Sequence, residues 1–87
     1  MNTKEDFNKS RAAQELWLSK KNWKEKIEHI KIPSYLKDDL EEYFKYIKEG
    51  NNIMYSAVID NVIASINVAE QEKDLTSEEA KYIRKIL

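Results

Sequence analysis

The chain is expected to be all-α, a small bundle of about four helices at roughly 4–30, 34–49, 52–72 and 77–87. Three observations predict this. The stretch 52–72, NIMYSAVIDNVIASINVAEQE, repeats its apolar residues at the period of a helix. A single glycine and a single proline leave few residues for the φ > 0 positions that hairpin turns require. The hexapeptide Leu75-Thr76-Ser77-Glu78-Glu79-Ala80 carries the pattern of a helix N-terminal capping box.

The segment 52–72 is the expected central helix, because no other part of the chain carries so much apolar surface. At 100° per residue, Tyr55, Val58, Ile59, Val62, Ile66 and Ala69 fall within roughly 50° of one line and form a core-facing stripe. A second, shallower strip of Ile53, Ala57, Ala64 and Val68 lies opposite, between polar edges that include Ser56, Asp60, Asn61, Ser65 and Asn67. Its two alanines would let another helix approach closely, so this helix is expected to be covered on both sides. The many β-branched residues raise a strand as the rival. Adjacent pairs such as Val58-Ile59 and Val62-Ile63, four residues apart, do not alternate in steps of two and decide for a helix.

The first helix is expected from about residue 4, capped by Asn2 or Thr3, with Glu5 and Asp6 where the helix dipole favours negative charge. Ala13, Leu16, Lys20, Trp23, Ile27 and Ile30 make a heptad-like seam whose one defect is Lys20. One long or kinked helix to about residue 30 is favoured; a loop at Ser19-Lys20-Lys21-Asn22, with Asn22 capping a new helix and Glu25 closing a capping box, remains open. Pro33 ends this segment and begins the next. There Leu36, Leu40, Tyr43, Phe44 and Ile47 share a face, Glu41 can pair with Lys45, and Gly50 stands where a left-handed C-terminal cap belongs. Asn51 or Asn52 caps the central helix. In the last helix Thr76 is the expected N-cap, and Tyr82, Ile83, Ile86 and Leu87 give it an apolar side.

Eighty-seven residues are read as a single helical domain, 1–87. No apolar run approaches the ~20 residues that a membrane helix needs. The start, Met1 to Asp6, lacks the apolar core of a secretory signal, and the expected location is cytoplasmic. With no cysteine, disulfides, thiolate metal sites and thiol nucleophiles are excluded. His29 is the single histidine, so no metal site or Ser-His-Asp triad is expected, and a Glu25–His29 surface pair is the ordinary role for it. One glycine cannot build a phosphate-cradling loop. The adjacent acids Glu41-Glu42 and Glu78-Glu79 read as solvated faces, and Asp60 as a boundary residue bonded to a neighbouring helix. No cofactor and no enzymatic activity are expected.

The net charge of −1 gives no global attraction to nucleic acid, although residues 1–32 carry +3 and residues 33–87 carry −4. The expected function is that of a non-enzymatic protein-binding module, a regulator, inhibitor or immunity-type protein. Its richness in Lys, Asn and Ile suggests a bacterial or phage source. The expected contact strip is Tyr35, Asp39, Glu42 and Tyr46, which lie beside the core face of the second helix and combine large rings with carboxylates that would steer a basic partner. The alternative is a nucleic-acid-binding accessory protein using residues 17–31, where Trp17, Lys20, Lys24 and Lys31 would line up on a continuous helix, with Glu28 able to neutralise Lys24. The surplus apolar surface of the central helix also raises a homodimer.

Overall fold

A computed structural model describes residues 11–87. Among these, the helices are α1 (Arg11–Lys20), α2 (Trp23–Ile27), α3 (Ser34–Glu49), α4 (Asn52–Gln71) and α5 (Ser77–Ile86), with no strand. The expected caps at Asn2 or Thr3, and the acids Glu5 and Asp6, lie outside the described residues.

The long first helix is broken. It stops at Lys20, turns through Lys21 and Asn22, and resumes for five residues as α2. The Ser19 hydroxyl donates back to the Leu16 carbonyl at 2.7 Å, a local bond that competes with the helical ladder. The turn re-aims the seam: α1 has no fully buried residue, whereas Trp23, Ile27 and Ile30 beyond it are buried. Trp23 stacks on Phe44 with centroids 4.6 Å apart and planes 18° from parallel. Asn22 makes no side-chain cap bond, so the box with Glu25 does not form; the backbone alone restarts the helix through Lys26 N–H to the Asn22 carbonyl at 3.2 Å.

The ends of α3 and α4 explain their bounds. Pro33 is the N-cap of α3, and its carbonyl accepts from Leu36 and Lys37. Gly50, at φ 69°, closes α3 in a Schellman arrangement: its own N–H reaches the Ile47 carbonyl at 3.1 Å, and the N–H of Asn51 reaches that of Tyr46 at 2.9 Å. The Asn51 side chain then caps α4 by accepting from Met54 N–H at 3.1 Å. Only Gly50 and Asn51 separate the two helices, so α3 and α4 run antiparallel. The end of α4 repeats the Schellman bonding without glycine. Lys73, at φ 64°, takes the left-handed position, with Lys73 N–H to Glu70 and Asp74 N–H to Ala69. The capping box of α5 forms as expected: Thr76 Oγ1 accepts from Glu79 N–H at 3.1 Å, and Glu79 Oε1 from Thr76 N–H at 2.9 Å.

The core is shared between α3 and α4. Leu36, Leu40, Tyr43, Phe44 and Ile47 of α3 meet Val58, Val62, Ile66 and Ala69 of α4, with Ala80 and Ile83 of α5 completing it. α3 packs on both α1 and α4, and α4 on α3 and α5. The expectation that α4 is covered on two sides is corrected: its main stripe is buried, but Ile53, Ala57, Ala64 and Val68 remain exposed, because α3 and α5 both dock on the stripe side. Two polar groups close the bundle at the far end of α5. Lys20 Nζ donates to the Ile86 carbonyl at 3.2 Å, and Tyr43 Oη to the Leu87 carbonyl at 2.8 Å. An ammonium at a helix C-terminus also complements its dipole.

Candidate functional site

Three surfaces carry the sequence candidates. On α3, Tyr35, Asp39, Glu42 and Tyr46 share a strip on the edge that meets α4. Asp39 Oδ2 accepts from Ser65 Oγ of α4 at 2.5 Å, so this half-buried carboxylate is partly spent on joining the two helices. Glu42 is exposed. Tyr35 is 40% exposed, and its hydroxyl reaches Asp74 Oδ2 only at 3.4 Å, too long for a strong bond. Partial desolvation, and then the Asp74 carboxylate, hold its phenol above the usual range. Tyr46 is half-buried against the core, with the Lys45 ammonium 5.5 Å from its ring centre. The strip therefore offers one partly exposed ring and one exposed carboxylate, with Tyr46 lapping the core edge.

The turn at Lys21 and Asn22 undoes the alignment expected for Trp17, Lys20, Lys24 and Lys31. Lys20 points inward to the end of α5; burial, and then the nearby charge of Lys26, lower its pKa. Lys31 lies in the extended connection before α3. Lys24 pairs with Glu41 of α3 at 3.5 Å, rather than with Glu28, and Glu41 is thereby taken from Lys45. Tertiary packing assembles a different basic group. Lys21, Lys24, Lys45 and Lys48 surround a shallow cleft floored by Trp17, Trp23 and Phe44, with Glu41 as the single acid. Lys48 lies over the Trp17 ring at 5.8 Å and Lys24 over Trp23 at 5.6 Å. Trp23 is buried in its stack, so it is a core anchor and no platform for a base.

The third surface is the outward side of α4. Ile53 is 81% exposed, Val68 45% and Met54 38%, and Ala57 and Ala64 lie exposed between them. Helical geometry sets Met54, Asn61 and Val68 next to Ser65, the residue bonded to Asp39, so this apolar side runs on into the α3 strip. From Asn52 to Ala69 the one charged residue is Asp60, in a chain that is 36% charged. Such a face lacks what normally keeps a helix surface in water. Sequence reasoning identified the strip but expected it to be covered; the exposed Ile53 at one end could not be read from periodicity.

Asp60 is exposed, and the edge residues that bond to neighbouring helices are instead Ser65 and Asn67, the latter accepting from Arg84 Nη2 at 2.6 Å. His29 falls beyond the end of α2, which removes the helical spacing to Glu25, and its ring meets Tyr82 edge-on at 5.8 Å. Among the described residues no group of three or more His, Asp or Glu could hold a metal ion, and no helix is long and apolar enough to cross a membrane. Compared with protein-family models, with curated proteins and with solved structures, the chain matches none of them.

Proposed function

We propose that the protein is a small non-enzymatic binding module of bacterial or phage origin, a regulator, inhibitor or immunity-type protein that engages another protein through α4 and the adjoining edge of α3. The observation that carries this reading is the nearly charge-free outward side of α4, which no other described residue covers, with Ile53, Met54 and Val68 exposed on a helix whose opposite side buries Val58, Val62, Ile66 and Ala69. Contiguous apolar surface of this kind marks interaction sites, and interface centres are depleted in charge. Tyr35 and Glu42 then form a polar and aromatic rim on one flank, with Tyr46 beneath it.

The test uses the full chain, tagged and expressed in its native host, beside Ile53→Lys and Tyr35→Ala. Both side chains are exposed, so both variants should melt within a few degrees of wild type. A protein retained by wild type and lost at least ~10-fold by Ile53→Lys supports the reading, since hot-spot residues at an interface centre typically cost more than ~1.4 kcal/mol. Partners bound equally by wild type and both variants would remove α4 as the contact face.

A second reading is favoured by a separate observation. Four lysines gathered round one cleft with a single carboxylate make a locally positive site on a chain of net charge −1. That site fits a polyanion such as nucleic acid, with Lys21, Lys45 and Lys48 replacing Lys20 and Lys31 in the sequence-derived set.

A further inference from the structure

The lysine cleft is the middle of a longer groove. Lys37, Glu41, Lys45 and Lys48 recur at helical spacing and form one ridge along α3, opposite α1 and α2. Three hollows of about 360, 330 and 300 Å³ follow this ridge. The first shares Trp17 and Lys48 with the second, and the second shares Trp23 and Lys24 with the third, so they join into one channel. From Gly50 to Lys37 it runs about 20 Å at 1.5 Å per residue. Each hollow alone is at the lower limit of a small-molecule site, so a ligand that fills the channel is long rather than compact.

The chemistry changes along this channel. Its middle sets four lysines against Glu41. The end beside Gly50 is apolar, with Trp17 and the 57% exposed Leu18, and the end beside Lys37 opens on Ile27, Ile30 and Ile32. Each end also carries an acid, Glu49 at the first and Glu28 at the second. A nucleic-acid strand is charged at every step and would lay phosphates against both acids. A chain that is acidic in the middle and apolar at both ends matches all three parts. No strand among the described residues offers an edge, so an extended peptide would leave backbone groups unpaired, whereas a helix satisfies its own.

We propose that this groove binds an acidic amphipathic helix of another protein, with carboxylates on the central lysines and an apolar side chain in each end hollow. This rests on the reading of the lysine cleft as an anion site and names its ligand; it does not depend on the α4 face. A segment of about 13 residues spans the channel. The Lys24–Glu41 ion pair, at 3.5 Å, gives the site its signature. It joins opposite walls, and Lys24 borders both the second and the third hollow. An incoming carboxylate therefore takes the place of Glu41 on Lys24. Both side chains reach solvent, so the exchange costs little.

Fluorescence anisotropy on the full chain tests this with three labelled probes. They are a peptide of about 18 residues with leucines at both ends and glutamates between them at helical spacing, a scrambled peptide of the same composition, and an oligothymidylate of equal charge. The variants are Leu18→Ala, Glu41→Gln and the pair Lys45→Glu with Lys48→Glu, all at exposed positions and each checked for an unchanged melting temperature. The patterned peptide should bind wild type at least ~10-fold more tightly than its scramble. Leu18→Ala should weaken it about 3-fold or more, the lysine pair at least ~10-fold, and Glu41→Gln should tighten it about 3-fold. If the scramble or the oligothymidylate binds as tightly as the patterned peptide, or Leu18→Ala has no effect, the helix is rejected and the cleft stands as a general polyanion site. If no probe binds wild type better than the lysine double variant, both fall.

Discussion

Lys73 ends α4 in the left-handed region, at φ 64°, where a Cβ crowds the following carbonyl at a cost of roughly 1–2 kcal/mol. Glycine there relieves that crowding and gives back part of the gain by loosening the unfolded chain. Lys73→Gly is therefore expected to stabilise the protein by about 0.5–1 kcal/mol, read as a higher urea midpoint at unchanged m-value. Gly50→Ala, at φ 69°, should lose about 1 kcal/mol by the same reasoning. Glu70 is a residue-scale device of another kind. Hydrogen bonds from Arg84, at 2.9 Å, and from Ser77 hold its carboxyl below the usual range. A carboxyl whose folded pKa is depressed contributes stability above its unfolded pKa and loses it as pH falls through the folded value. Both side chains are partly in solvent, so the contribution is small and salt-sensitive. Glu70→Gln should melt slightly below wild type near pH 7 and show a shallower fall in melting temperature below about pH 4, a difference that thermal unfolding across pH would reveal.

At the scale of elements, the same apolar residue types do opposite work on the two sides of one layer. Leu40 on α3 is wholly buried in the core, while Ile53 at the start of α4 stands in solvent. Leu40→Ala should cost about 2–5 kcal/mol, enough to unfold much of a domain of this size, and Ile53→Ala should stay within about 0.5 kcal/mol in dilute solution. Denaturant titrations of the two variants in dilute solution check the contrast. A large loss from Ile53→Ala there would mean that the outward side of α4 is covered within one molecule. The seam of residues 11–30 is likewise divided by packing. Its spacing is regular enough for one helix, yet the turn after Lys20 is what lets Trp23 lie flat on Phe44.

For the molecule as a whole, charge is arranged by packing more than by sequence. The +3 of residues 1–32 does not lie along one helix; part of it, Lys21 and Lys24, combines with Lys45 and Lys48 from α3, a helix in the acidic remainder of the chain. If the cleft holds a polyanion, retention on a heparin column should fall steeply between about 50 and 200 mM salt, and Lys45→Glu with Lys48→Glu should abolish it, whereas Lys20→Met should leave it unchanged. Elution of wild type at the lowest salt, alongside the double variant, would dismiss the polyanion reading.

The sequence by itself determined the helical class, the buried faces of α3 and α4, and the local signals at Gly50, Asn51 and Thr76. Each of these depends on residues within one or two turns: a 3.6-residue period, a residue that tolerates positive φ, a hydroxyl three residues before a glutamate. Tertiary structure decided the rest. Lys73 carries no turn signal of its own, and its conformation follows from Leu75 being drawn into the core just beyond it. Lys20 looked like a flaw in a seam because its acceptor, the Ile86 carbonyl, lies at the other end of the chain. Above all, periodicity says which side of α4 is apolar but not how many neighbours there are to cover it. Two helices reach its main stripe and none of the described residues covers the other side, which is why Ile53 and Val68 stand exposed.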